Sequence, residues 1–193
     1  MKYALVTGGS RGIGRAVCVK LASLGYHVLI NYVSNEAKAL ETLEMTKNAG
    51  TEGEIIKFNV ADLEETTSAI EKWQSDNKDA YIDVLVNNAG VTADSLLPMM
   101  EPEAWHKVLS TSLDGFFNVT RVVIKKMIRK KHGRVINMAS VSGLIGLPGK
   151  FRPGRVNGRN QRIWIIAELG FNIRHVITDF DKGRSGDTDP VRA

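Results

Sequence analysis

Apolar residues are distributed along this chain in two alternating ways, as short unbroken runs and as longer stretches in which they recur every third or fourth position. The first pattern predicts strands buried on both faces, the second amphipathic helices. Tyr3-Ala4-Leu5-Val6 is the first run, and Ile13, Ala16, Val17, Leu21 and Leu24 form a helical stripe that stops at Gly25. The alternation continues with a strand over residues 26–30, a helix over about 35–48, a strand over 54–58 and a helix from Asp62 to about Ser75. A fourth strand is expected over 82–86. Pro102, which suits a first helical turn, then opens a long amphipathic run that reaches Lys131 and is closed by Gly133. A last clear strand is expected over 134–139.

Strands and helices alternating in this way predict an α/β domain: a parallel sheet with helices on both faces, joined by right-handed crossovers. In such sheets ligands lie beyond the carboxyl ends of the strands. Four polar stretches fall there: residues 8–14, Asn59-Val60, residues 87–90 and Ser140. The first is the most telling, because the apolar run empties into Thr7-Gly8-Gly9-Ser10-Arg11-Gly12-Ile13-Gly14 just where a helix begins. A helix start directs unpaired N–H groups outward, which suits a pyrophosphate. Gly8 and Gly12 can take backbone angles closed to other residues, and Gly14 lets the helix lie close to the strand. No Gly-Lys-Ser/Thr follows, so this is not a nucleoside triphosphatase loop. The expected architecture is a Rossmann-like doubly wound parallel sheet in three α/β/α layers. A methyltransferase using S-adenosylmethionine shares this sheet type. Residues 31–35, which hold no acid, and the Asn87-Asn88-Ala89-Gly90 turn speak against one.

The chain has 193 residues, 43% hydrophobic and 24% charged, enough for one domain with a substantial core. Cys18 is the only cysteine, so no intramolecular disulfide can form and a reducing cytoplasm is the expected setting. No apolar run approaches membrane-spanning length, and Met1-Lys2 leads directly into a strand, so secretion and membrane insertion are not expected. The net charge of +5 is scattered apart from Lys125-Lys126 and the cluster at residues 129–132. Cations at a helix carboxyl end complement its dipole, and neither nucleic-acid binding nor a metal site is expected.

Past Gly149 the composition changes. Through Lys150 there are 13 lysines and 5 arginines, whereas after it there are one lysine, Lys182, and seven arginines. Residues 163–167 form an apolar patch that suits either a helical turn or a short strand, and residues 181–190 read as loop. The expected organisation is therefore a dinucleotide-binding domain over residues 1–149 and a poorly ordered, aberrant tail over 150–193.

Thr7-Gly8-x-x-x-Gly12-Ile13-Gly14, Asn59-Val60 with Asp62, Asn87-Asn88-Ala89-Gly90 and Ser140-Val141-Ser142-Gly143 occur in order, each at a strand end. Together they resemble the short-chain dehydrogenases/reductases, most of all their 3-oxoacyl-[acyl-carrier-protein] reductase branch, over about residues 2–149. The resemblance implies that Gly8, Ser10, Arg11, Gly12, Ile13 and Gly14 hold the pyrophosphate and adenosine side of a dinucleotide. It implies that Asn59 and Val60 bracket adenine, and that Asn88, Ala89 and Gly90 meet the ribose and nicotinamide. With no acid in residues 31–35 to bind a ribose 2′-hydroxyl, and with Arg11 able to face a 2′-phosphate, NADP(H) is the expected cofactor. The implied reaction is fatty-acid-synthesis reduction of a 3-oxoacyl thioester carried by acyl carrier protein or coenzyme A, in a homo-oligomer, a tetramer in the family.

Family catalysis uses a serine that bonds the substrate oxygen, a tyrosine that protonates it, a lysine four residues later, and an asparagine that orders a relay water. Ser140 matches the serine, and Ser112 stands where the asparagine is expected. The tyrosine and lysine positions fall on Pro153 and Asn157, or in a shifted alignment on Gly158 and Arg162, and the last tyrosine in the chain is Tyr81. The expectation is a carboxyl-terminally incomplete ketoreductase with impaired turnover. The alternatives are a catalytically inactive nucleotide-binding protein and a frameshifted fragment. The changed lysine and arginine usage motivates the last, and an uninterrupted reading frame on resequencing would count against it.

Overall fold

The computed structural model describes residues 1–93, 95 and 97–139; the expectations for Ser140 and for residues 150–193 lie outside these. The chain runs β1 (Lys2–Val6), α1 (Gly12–Ser23), β2 (Tyr26–Tyr32), α2 (Glu36–Asn48), β3 (Gly53–Lys57), α3 (Leu63–Asp76), β4 (Ile82–Asn87), α4 (Pro102–Leu109), a π-helical segment (Ser110–Asp114), α5 (Gly115–Lys130) and β5 (Arg134–Asn137). The five strands form one sheet in the order β3-β2-β1-β4-β5, every pair parallel. The chain steps outward from β1 to β3, then returns to the other side of β1 as β4. Strand order therefore reverses between β1 and β4, the place where open α/β sheets bind ligands.

Alternation along the strands divides the core in two. Ala4, Val6, Val28, Ile30, Val84 and Val86 pack with Cys18 and Ala22 of α1, while Leu5, Leu29 and Leu85 face the opposite way onto Ile70 and Trp73 of α3 and Val119 and Val123 of α5. Helices thus cover both faces, as the three-layer reading expects. Asn35 and Asp62 cap α2 and α3, accepting from Lys38 N at 3.0 Å and Glu65 N at 2.9 Å.

Two local expectations are corrected. The buried face of α1 is Gly14, Cys18 and Ala22, and Ile13 and Leu24 at the ends of the anticipated stripe are 66% and 59% exposed. Small side chains occupy that face because the helix lies close to the sheet. The run from Pro102 to Lys130 is helical throughout, as expected, with a π-helical segment inside it. Finally, Lys131, not Gly133, closes α5, with φ 53°. His132 N donates to Met127 O at 3.2 Å and Lys131 N to Ile128 O at 3.1 Å, the paired bonds of a left-handed helix cap. Gly133 serves another purpose, since a Cβ there would collide with the Met127 side chain.

Cys18 is fully buried, and burial pushes its thiol up to about 12. Because the thiolate is the reactive form, iodoacetamide at pH 8 is expected to leave the folded protein unmodified and to label it fully in denaturant, as intact mass would show.

Candidate functional site

The loop leaving β1 is held by Thr7 at its own start and by side chains from two other strand ends, Asn31 of β2 and Asn88 after β4. Thr7, buried at the end of β1, donates to Val86 O (3.3 Å) and accepts from Asn88 N (2.9 Å) and Ala89 N (3.0 Å). The Asn88 side chain returns the link, its Nδ2 donating to Thr7 O at 2.9 Å and Gly8 O at 3.2 Å. On the other flank Asn31, 1% exposed, accepts from Gly8 N at 3.1 Å and donates to Phe58 O at 2.9 Å. The ends of β1, β2, β3 and β4 are thereby joined across the reversal point. Gly8 sits at φ +63° and Gly12 at φ +55°, the left-handed region in which side chains are strained.

Beyond Gly8 the chain becomes α1. Arg11 precedes it in extended conformation and offers no side-chain cap, and the first intrahelical bond is from Arg15 N to Arg11 O at 3.2 Å. The amides of Gly12, Ile13 and Gly14 come before that bond, so they are the outward donors of a helix start. The outer side of the loop is fixed by Arg15, whose guanidinium donates to Ser10 O (2.9 Å), Thr42 Oγ1 (3.0 Å) and Glu41 Oε2 (2.9 Å). That bond, with the charge of Lys38, holds the exposed Glu41 carboxyl below its usual value. Thr42 also donates to Ser10 O at 3.1 Å.

The other expected residues that the structure describes lie on several elements. Ala89 lies against Gly8, 3.1 Å from where a Cβ would stand. Gly90 and Arg11 line one cleft of about 520 Å³ with residues 91–93 and with Ala104, Lys107 and Val108 of α4. Asn59 accepts from Ala61 N at 3.1 Å and, through its carbonyl, from Thr66 Oγ1 at 3.0 Å. Val60 is 3% exposed, packed on Gly115, and its carbonyl accepts from Asn118 Nδ2 at 2.9 Å. Ser112 is exposed within the π-helical segment, and Ser140 lies outside the described residues. At the end of β2 no acid appears before Glu36. That carboxylate lies beside the Tyr32 hydroxyl, whose pKa is raised by burial and then by Glu36.

The arrangement has the donors and the space that a diphosphate requires. It has amides pointing outward at a helix start, open space around Gly12 where a Cβ would meet nothing within 4 Å, and so little room at Gly14 that a Cβ would strike Gly8 O and the Asn88 amide. The described residues therefore fit a dinucleotide. Sequence reasoning gave no role to Asn31, Arg15, Thr42 or Lys107. A polar residue interrupting the apolar run Val28-Leu29-Ile30 was the one available signal for Asn31.

Residues 2–151 match the family described as short chain dehydrogenase. The chain belongs to that family. This short-chain dehydrogenase is 42% identical over 149 residues to the 3-oxoacyl-[acyl-carrier-protein] reductase of Staphylococcus aureus (strain Mu50), covering 77% of the chain and 60% of the relative. It is 38% identical over 151 residues to an acetoacetyl-CoA reductase of Rhizobium meliloti, covering 77% and 59%. A solved gluconate 5-dehydrogenase from Burkholderia cenocepacia, in complex with NADP and tartrate, superposes with TM-score 0.69 at 35% identity over 76% of this chain and 56% of that one. The chain thus spans about 60% of the length of the relatives it matches. Among the described residues no helix is long and apolar enough to cross a membrane.

Proposed function

We infer that this short-chain dehydrogenase binds NADP(H) across the β1–β4 reversal and is a ketoreductase of 3-oxoacyl thioesters by descent, with turnover impaired in this chain. The carrying observation is the cradle itself: Gly8 and Gly12 at positive φ, the free first-turn amides of α1, and the Asn88 turn bonded back onto Thr7 and Gly8. Supporting the cofactor choice are the absence of an acid in residues 31–35 and the exposed Arg11 beside the loop, a cation suited to a 2′-phosphate. The NADP in the superposed gluconate 5-dehydrogenase agrees with it.

When bound, the nicotinamide supplies a hydride to the substrate carbonyl. The chain's own part is to hold the diphosphate on the amides of Gly12–Gly14 and to place Asn88, Ala89 and Gly90 along the ribose and nicotinamide. Asn59 and Val60 flank the adenine. Ser140 would bond the substrate oxygen, and Ser112 would stand in for the relay asparagine through its hydroxyl. What the chain lacks is the proton donor, because Tyr81 is its last tyrosine. That single observation favours a second reading, a nucleotide-binding protein without turnover.

Titration of the purified 193-residue chain is expected to show tryptophan quenching by NADPH at lower concentration than by NADH. NADPH oxidation with acetoacetyl-coenzyme A is expected to run about 100 to 10,000 times slower than in a relative that keeps the tyrosine, the usual worth of a general acid. Binding by neither nucleotide overturns the whole reading, and a robust rate overturns the impairment.

A further inference from the structure

We propose that Lys107 and Arg11 form a two-cation clamp on a phosphate of the dinucleotide, so that α4 holds the cofactor together with the glycine loop. The inference rests on the dinucleotide reading above and adds a residue that neither the motifs nor the resemblance singled out. Arg11 and Lys107 both line the 520 Å³ cleft, and the other described residues that line it are uncharged. Neither cation makes an ion pair among the described residues. Two like charges on one cleft attract anions, and phosphate oxygens accept from both ammonium and guanidinium.

The position of Lys107 is built. Val108, the next residue, is buried at 7% exposure and seats the last turn of α4 on the body of the protein. The Lys107 carbonyl accepts from Thr111 Oγ1 at 2.8 Å and Ser110 Oγ at 3.3 Å, where the π-helical segment begins. Those two hydroxyls fix the backbone from which the ammonium reaches the cleft.

Continuity with the cradle identifies the anion. Arg11 immediately precedes the amides of Gly12–Gly14, and Gly90, on the same cleft, follows the Asn88-Ala89 turn that is bonded to Thr7. A dinucleotide lying on those amides brings its pyrophosphate or its 2′-phosphate to the mouth of this cleft.

The test is titration of Lys107→Gln and Lys107→Arg in the full chain with NADPH and with NADH, at low and high ionic strength. Lys107 is exposed, so both variants are expected to melt with the parent. Lys107→Gln is expected to weaken binding about fivefold at low salt, the upper worth of an exposed pair. The loss should shrink as salt is added, and Lys107→Arg should restore most of it. A loss confined to NADPH places the clamp on the 2′-phosphate, and an equal loss with NADH places it on the pyrophosphate; either supports the proposal. Unchanged affinity of Lys107→Gln for both nucleotides, with the parent binding normally, overturns the clamp and leaves the dinucleotide reading standing. A parent that binds neither overturns both.

Discussion

Gly14→Ala is expected to weaken NADPH binding by more than about tenfold and to lower stability by about 1–3 kcal/mol, the range for overfilling a close-packed site. The added methyl would strike Gly8 O and the Asn88 side-chain amide, so α1 must move away from the strand exit. Its first-turn amides then leave the position from which they meet a diphosphate. Gly12 supplies the contrast. A Cβ there meets nothing within 4 Å, and Gly12→Ala should cost only the strain of its positive φ, on the order of 1–2 kcal/mol. Thermal melting and nucleotide titration of the two variants check this. A Gly14→Ala protein that melts and binds like the parent would mean that helix and strand are not in contact there.

Asn31→Leu is expected to be the more damaging substitution for folding. Leucine is close in size, so the loss is of hydrogen bonds: Gly8 N–H and Phe58 O each lose a buried partner. An orphaned buried polar group costs about 1–3 kcal/mol, and two of them should lower Tm by on the order of 10 °C in a domain of this size. A melting temperature within two or so degrees of the parent would show that water replaces the amide without loss.

The strands and the order of helices were legible because buried parallel strands must be apolar throughout and because Gly8, Gly12 and Gly14 announce the strand-to-helix turn. The polar residues gathered at strand ends marked the edge of the sheet that carries the site, whereas the strand order with its reversal between β1 and β4 is read only from the structure. What stayed hidden has a common cause, namely that hydrophobicity does not mark it. The buried face of α1 consists of Gly14, Cys18 and Ala22, too small to stand out beside Ile13, which is exposed. Asn31 is polar and buried, which pattern reading assigns to a surface. The π-helical segment keeps the composition of the helices around it, and Lys131 takes a conformation usually reserved for glycine. Of the site, the glycine loop and the Asn88 turn could be read from motifs. Arg15 and Thr42, which brace that loop from outside, act through contacts between α1 and α2 that no local pattern records.

That bracing comes from one part of the chain. Among the described residues, the side chains that shape the loop after β1 are Thr7, Arg15, Asn31, Thr42 and Asn88, all encoded before Gly90. Among the described residues, the hydrogen bonds that contour this loop are therefore all supplied by the first ninety positions of the chain.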